Sequence, residues 1–335
     1  SIGSELCRRI LDLGARKLVL FELSEFALYS IDQELRPIAK AAGIELVATL
    51  GSVNDAARVK RVLTEEGVDI ILHAAAYKHV PLIEVNELEA ARNNVLGTKT
   101  LADVATECGI RRFTLVSTDK AVRPTSVMGA SKRFAELVIQ SLGTGKSDTL
   151  FSIVRFGKVL GSSGSVIPHF KNQIEQGGPV TLTHEEVTRY FMTIPEAAQL
   201  VLQAGSLAKG GDVFVLDMGE QVKISELAER MIHLMGFSVR NKVNSNGDIE
   251  IQYSGLRPGE KLYEELLVGE NIVGTEHSKI MSAHEEMLPW SELHNALILL
   301  NELCDSMDCE GIVQLLLKLP TGYNPQHAVC DLLWD

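Results

Sequence analysis

Residues 17–49 read KLVLFELSEFALYSIDQELRPIAKAAGIELVAT, and this stretch decides the fold. Lys17–Glu22 (KLVLFE) is a short apolar run of strand-forming residues, and Ile44–Thr49 (IELVAT) is a second. Between them, Glu25–Ala41 carries apolar residues at helical spacing. Near-continuous apolar strands joined by a helix lie parallel and are covered on both faces.

The same alternation continues outward. Asp69–His73 (DIILH), Arg112–Ser117 (RFTLVS) and Leu150–Arg155 (LFSIVR) read as strands, and Glu5–Leu13, Asp55–Glu66, Glu87–Cys108 and Ser126–Leu142 as amphipathic helices. The expected fold class is α/β, a doubly wound parallel Rossmann-type sheet. Strand-like runs at Pro179–Leu182, Asp212–Leu216 and Ile249–Tyr253 then interleave with helical patterns at Pro195–Leu207, Ile224–Met235 and Lys261–Leu267. This less regular part reads as a smaller mixed α/β substrate domain, and the chain after about Ser282 as helical. The expected division is 1–156 with about 186–222 for the dinucleotide, and about 157–185 with 223–335 for the substrate. A helix follows Ser1-Ile2-Gly3-Ser4 with no strand before it, although a doubly wound sheet places its first strand centrally. The sequence is therefore expected to begin inside a glycine-rich loop of a longer protein, with Gly3 as that loop's last glycine.

Composition narrows the function. The 335 residues are 45% apolar and 23% charged, ordinary for a globular protein with a sizeable core. Aromatic residues are only 5%, and the formal net charge is −12 without any basic block, which disfavours nucleic-acid binding. An anionic ligand must therefore meet a local cluster of positive groups. The five cysteines, Cys7, Cys108, Cys304, Cys309 and Cys330, are odd in number and scattered, as in a reducing cytosol, and form neither a disulfide framework nor a zinc motif. No metal is expected. No apolar run reaches the 18 or so residues of a membrane span, so a cytoplasmic location is expected for this stretch.

Candidate binding residues follow from position. Glu22 closes a strand 19 residues after Gly3, where a carboxylate accepts bonds from ribose hydroxyls and repels a 2′-phosphate; NAD is favoured over NADP. Ala74-Ala75-Ala76 follow the strand at 69–73 and leave room for a flat cofactor. The richest stretch, Ser117 to Lys132, leaves a strand, crosses a loop with Pro124 and enters a helix. Asp119 and Lys120 stand at the carboxyl end of a buried strand, where open α/β sheets bind ligands. Lys132 lies one turn after Met128 and shares its face.

The strings HAAAYKHVP (73–81), NNVLGT (93–98), STDKAVRPTSVMGASKR (117–133), GSSGSVIPHF (161–170), TRYFMTIPEAAQLV (188–201) and GLRPGEKLYEEL (255–266) carry a resemblance. They resemble the extended short-chain dehydrogenase/reductases, and within these the nucleotide-sugar 4,6-dehydratases of bacterial capsule, O-antigen and glycan biosynthesis. The resemblance implies a lyase acting on UDP-N-acetylglucosamine with a tightly bound, recycled NAD. It assigns Thr118, Asp119, Lys120, Met128 and Lys132 to catalysis. Ile2, Gly3, Glu22, Ser52, Ala74, Ala75, Ala76, Asn94 and Lys132 fall to the cofactor. Lys78, His79, Lys158, Ser165, Arg189, Arg257 and Glu260 fall to the substrate. Three positions depart from the family pattern. Met128 replaces the usual Tyr, as in a membrane-anchored branch whose catalytic domain faces the cytoplasm; Lys158 stands where Asn is usual; Ser52 replaces an adenine-contacting Asp. By analogy, helices 87–108 and 126–145 would pair with their copies, in a homodimer or a higher homo-oligomer.

The implied chemistry moves hydride from C4 to NAD⁺, eliminates water across C5 and C6, and returns the hydride to C6. Asp119 is then the acid at the C6 hydroxyl and needs a raised pKa, and Lys120 the base at C5 with a lowered one, to which Lys132 would contribute. Met128 has no proton to exchange. The base for the C4 hydroxyl is open between Thr118 with a water, Lys120 and Asp119. The competing readings are a UDP-sugar 4-epimerase and a non-catalytic NAD-binding protein.

Overall fold

The computed structural model describes residues 1–145, 147–162, 165–265 and 272–325. Its first strands are β1 (Lys17–Glu22), β2 (Glu45–Leu50), β3 (Ile70–His73), β4 (Arg112–Val116) and β5 (Leu150–Arg155). Then come β6 (Lys158–Val159), β7 (Val180–Leu182), β8 (Thr188–Met192), β9 (Asp212–Leu216) and β10 (Gln221–Lys223). The last four are β11 (Val239–Arg240), β12 (Ile249–Tyr253), β13 (Ile272–Gly274) and β14 (Ile280–Ala283). The helices begin with α1 (Ile2–Asp12), α2 (Glu25–Ala42), α3 (Ala56–Glu65), α4 (Val80–Ile83), α5 (Glu87–Ala90) and α6 (Gly97–Glu107). They continue with α7 (Val127–Gly143), α8 (Val166–Glu175), α9 (Ile194–Leu207), α10 (Ile224–Leu234), α11 (Trp290–Asp305) and α12 (Cys309–Lys318).

The fold is Rossmann-like α/β. Strands β3, β4, β5 and β9 run parallel, and β14 and β13 extend that sheet antiparallel beyond β9. Strands β1 and β2 pair with each other in a separate parallel sheet. Polar N-caps set the helix starts: Asp55 accepts from Arg58 N at 2.9 Å and Ser126 from Gly129 N at 3.1 Å. The expected helix over 87–108 is interrupted by a π-turn at Ala91–Leu96.

A second core, built from Phe170, Ile174, Val180, Leu182, Ile224, Ile232 and Ile249, holds the smaller unit. Its boundary differs from expectation at the C-terminal side. Strand β14 pairs with β9, and α11 and α12 bury Leu293, Leu297, Leu300, Ile312 and Leu316 against Phe134, Leu137 and Val138 of α7. Residues 272–323 therefore pack on the larger unit and not on the substrate side. The same packing corrects the expected contact between copies: α7 is buried at every residue from Val127 to Ser141 within one chain, so it has no face for a second copy.

The helix expected at Lys261–Leu267 is absent over its described part, 261–265. The backbone carbonyls there serve other partners. Arg189 donates to the Lys261 and Leu262 carbonyls at 2.8 and 3.1 Å, and Gln221 donates to that of Glu264 at 3.3 Å.

Candidate active site

Strand β4 ends at Val116, and the chain from Ser117 to Lys120 crosses the carboxyl edge of the sheet. Backbone bonds fasten it to the neighbouring strand end, Ser117 N to Val154 O at 2.8 Å and Asp119 N to Phe156 O at 3.1 Å. Thr118 caps the short turn that follows and donates its hydroxyl to Asp119 Oδ1 at 2.8 Å. Lys120 Nζ donates to the same oxygen at 2.8 Å and lies 3.5 Å from Glu264 Oε1. Asp119 is fully buried, and its Oδ2 has no hydrogen-bond partner among the described residues.

This geometry reverses the expected polarity of the pair. Burial pushes Asp119 up, but the Lys120 ammonium, with Thr118 and Lys158, outweighs it and holds the carboxyl below its ordinary range. Burial pushes Lys120 down, but Asp119 and Glu264 hold it above the ordinary lysine value. The resting pair is thus a carboxylate and an ammonium. Glu264 lies inside the quoted GLRPGEKLYEEL string, yet only the folded chain brings it to Lys120.

Helix α7 approaches this loop closely because Gly129 has no side chain: a Cβ there would stand 2.3 Å from Lys120 O. Lys132 Nζ donates to Val116 O at 2.9 Å, and burial lowers its pKa to about 8 against the opposing Glu136. Met128 is 2% exposed and packs in the cluster that α11 and α12 complete. Behind the loop, Glu136 accepts from Ser117 Oγ at 2.6 Å, Arg155 Nε at 2.7 Å and Arg133 at 3.2 Å, and Arg155 also grips Glu285.

A cavity of about 1320 Å³ joins Thr118, Lys120 and Lys132 to the nucleotide side; Asp119, fully buried, lies behind Thr118 and Lys120 and is not among the residues that line it. It is lined by Ile2, Gly3, Glu22 and Ala74–Ala76, and also by Thr118, Lys120, Met128 and Lys132. Lys78, His79, Lys158, Ser165, Arg189, Arg257 and Glu260 line its other wall. Two expected cofactor residues are not on this wall. Asn94 is 1% exposed, and its amide is taken by the Tyr77 backbone and Ser131 Oγ, so it clamps the loop after β3 to α7. Ser52 shapes its own turn, accepting from Asn54 N at 3.2 Å. Arg189, expected to grip substrate, is 2% exposed. It donates to the Thr188, Lys261 and Leu262 carbonyls and to Glu260, so it holds the wall in place. Glu260 likewise accepts from Thr183 and Arg189. Arg257 is exposed at the rim.

The residues fit a dinucleotide. The amino end of α1 opens on the cavity, where a Cβ on Gly3 would meet Ala74 Cβ only at 3.9 Å; Glu22 closes β1, and Lys132 faces the cavity from α7. Among the described residues there is no cluster of three or more metal-ligating side chains, and no helix is long and apolar enough to cross a membrane.

A parallel sheet with a buried ion pair and a cavity at its carboxyl edge is the Rossmann-type arrangement in which open α/β sheets bind ligands. A family model described as polysaccharide biosynthesis protein matches residues 1–285, and the chain belongs to that family. It is 56% identical over 269 residues to a capsular polysaccharide biosynthesis protein of Staphylococcus aureus, covering 80% of this chain and 43% of that one. The chain thus spans less than half that relative's length. It is 32% identical over 280 residues to a UDP-glucose 4-epimerase of Rickettsia canadensis, covering 82% of this chain and 77% of the other. Among solved structures it is similar to Pen from Bacillus thuringiensis, with a TM-score of 0.74 and 30% identity over 89% of this chain and 94% of that one.

Proposed function

We propose that the chain carries an NAD-dependent nucleotide-sugar 4,6-dehydratase activity, with UDP-N-acetylglucosamine as substrate, serving the synthesis of a bacterial surface polysaccharide. The observation that carries this reading is the buried Asp119–Lys120 pair beside a cavity suited to a dinucleotide. Oxidation at C4 alone needs no second acid–base pair; elimination across C5 and C6 does. NAD⁺, held by Ile2, Gly3, Glu22, Ala74–Ala76 and Lys132, supplies the hydride acceptor.

The resting ion pair already contains the proton the elimination needs. Moving it along the 2.8 Å bond from Lys120 to Asp119 gives a neutral carboxylic acid beside a neutral amine, with no exchange with solvent. The carboxyl then protonates the departing C6 hydroxyl while the amine removes the C5 proton. A sugar filling the cavity favours this tautomer, because desolvation penalises the charged forms. Arg257 and Lys78, exposed on the cavity wall, are placed to meet the diphosphate.

The test is to supply the intact protein with UDP-N-acetylglucosamine deuterated at C4. Mass spectrometry is expected to find loss of one water with the deuterium at C6 and no net NADH. The runner-up, a UDP-sugar 4-epimerase, is favoured by the rickettsial relative; it would invert C4 without mass loss. Stoichiometric NADH would mean a simple dehydrogenase and would overturn both.

Met128 supplies a second check. Its side chain packs in an apolar cluster, so its volume matters and its sulfur does not. Met128→Leu is expected to keep activity within about an order of magnitude, since such swaps cost under about 1.5 kcal/mol. Met128→Tyr is expected to bring no gain. A markedly faster Tyr variant would mean that the site is a damaged Tyr-Lys site.

A further inference from the structure

We propose that Lys158 is the base that takes the proton from the sugar hydroxyl oxidised in the first step, the role that the thioether of Met128 cannot fill. This rests on the reading above only in that a sugar hydroxyl is oxidised, a step common to dehydration and epimerisation.

Lys158 opens β6, which pairs parallel with β8 so that Lys158 stands opposite Phe191. The preceding residue, Gly157, lies directly against the catalytic loop: a Cβ there would stand 3.1 Å from Asp119 Oδ2. The strand therefore delivers an amine to the cavity one residue on from the point where it touches the Asp119 carboxylate. Six lysines line the cavity: Lys17, Lys78, Lys120, Lys132, Lys158 and Lys261. Four of these amines are engaged, Lys17 by Glu45 and Glu66, Lys120 by Asp119, Lys132 by Val116 O, and Lys261 by Val122 O. Among the described residues Lys78 and Lys158 make no hydrogen bond or ion pair, and of the two Lys78 is exposed while Lys158 is half-buried.

The charges facing Lys158 are Asp119 and Lys120 from the loop after β4, Arg189 from β8 and Glu264 from the 255–265 segment. Two negative and two positive groups already balance, so an ammonium at 158 is uncompensated. Burial, reinforced by Arg189 and Lys120 and opposed by Glu264 and Asp119, lowers its pKa to about 8. A general base works best with a pKa near the operating pH.

In the step, the sugar O–H bond breaks and an N–H bond forms on Lys158. The C–H electron pair leaves as hydride to the oxidised dinucleotide, and the carbon–oxygen bond becomes a carbonyl. In dehydration the Asp119–Lys120 pair gives one proton to the departing hydroxyl and returns the other to C5, so the proton on Lys158 passes back to that pair before the next turnover and the cycle exchanges no net proton.

The experiment compares the NAD-loaded wild type with Lys158→Asn and Lys158→Arg. The rate of transient nicotinamide reduction by UDP-N-acetylglucosamine is measured across pH, and UDP affinity by calorimetry. The wild-type rate is expected to rise with pH through about 8 as the ammonium becomes an amine. Both variants are expected to lose that rise and to be slower by about 10²–10⁴-fold, with UDP affinity within about tenfold. Arginine keeps the charge but cannot deprotonate, so it separates a base from a phosphate grip. In the ligand-free protein, carbon-13 lysine NMR is expected to find two amines titrating near pH 8, those of Lys132 and Lys158, of which only the second is missing from Lys158→Asn. Unchanged rate and pH profile in Lys158→Asn overturns the proposal, as does a loss confined to UDP affinity that Arg restores. A wild type that oxidises no nucleotide sugar overturns the proposed function and this proposal together; wild-type oxidation with an unaltered variant overturns this proposal alone.

Discussion

Asp119→Asn is expected to lower turnover by about 10²–10⁴-fold while UDP-sugar affinity stays within about tenfold. Asparagine preserves the shape of a side chain that is fully buried and keeps an oxygen for the Thr118 hydroxyl and the Lys120 ammonium. It cannot carry the proton. Lys120→Ala is expected to lose as much, and the double variant little more than either single one, because the two groups move one proton as a unit. Single-turnover mass spectrometry reads the chemical step and calorimetry the binding. Variants with normal turnover and weak binding would mean that the pair merely holds substrate.

Glu136→Ala is expected to destabilise the fold by about 3–5 kcal/mol, the cost of leaving one partner of a buried ion pair uncompensated. Arg155 is fully buried, as is Glu136. The carboxylate binds Arg155, Arg133 and the Ser117 hydroxyl at once, so its loss strands charge beneath the loop that follows β4. Urea denaturation measures the change. A loss under about 1 kcal/mol, typical of an exposed pair, would mean that water reaches the cluster.

The strands of the larger sheet were legible because burial on both faces makes them continuous apolar runs; Leu150–Arg155 and Asp212–Leu216 form over the residues expected. Strands β6 and β10, of two and three residues, are too short to leave a periodicity. The Asp119–Lys120 pair was legible because its members adjoin in sequence. The sign of its pKa shifts was not, since burial opposes the attraction of the two groups for each other and only the folded geometry sets the balance; Glu264, remote along the chain, adds to it at Lys120. The resemblance gives Asn94 to the cofactor and Arg189 to the substrate; in the fold Asn94 bonds the Tyr77 backbone and Ser131, and Arg189 bonds backbone carbonyls and Glu260, partners brought together only by folding. The helix expected at Lys261–Leu267 failed for the same reason, because Arg189 claims its carbonyls.

The C-terminal helical pair has a practical consequence for where this protein can be cut. The family model's match ends at residue 285, yet the apolar wall of α7 is closed by residues from Leu293 to Tyr323. A boundary drawn by likeness is therefore not a boundary of cooperativity. Expressed alone, 1–285 would present Phe134, Leu137 and Val138 as a bare apolar stripe, the kind of surface that drives aggregation. The helical pair beyond the family model's match is thus what keeps the helix bearing Lys132 dry.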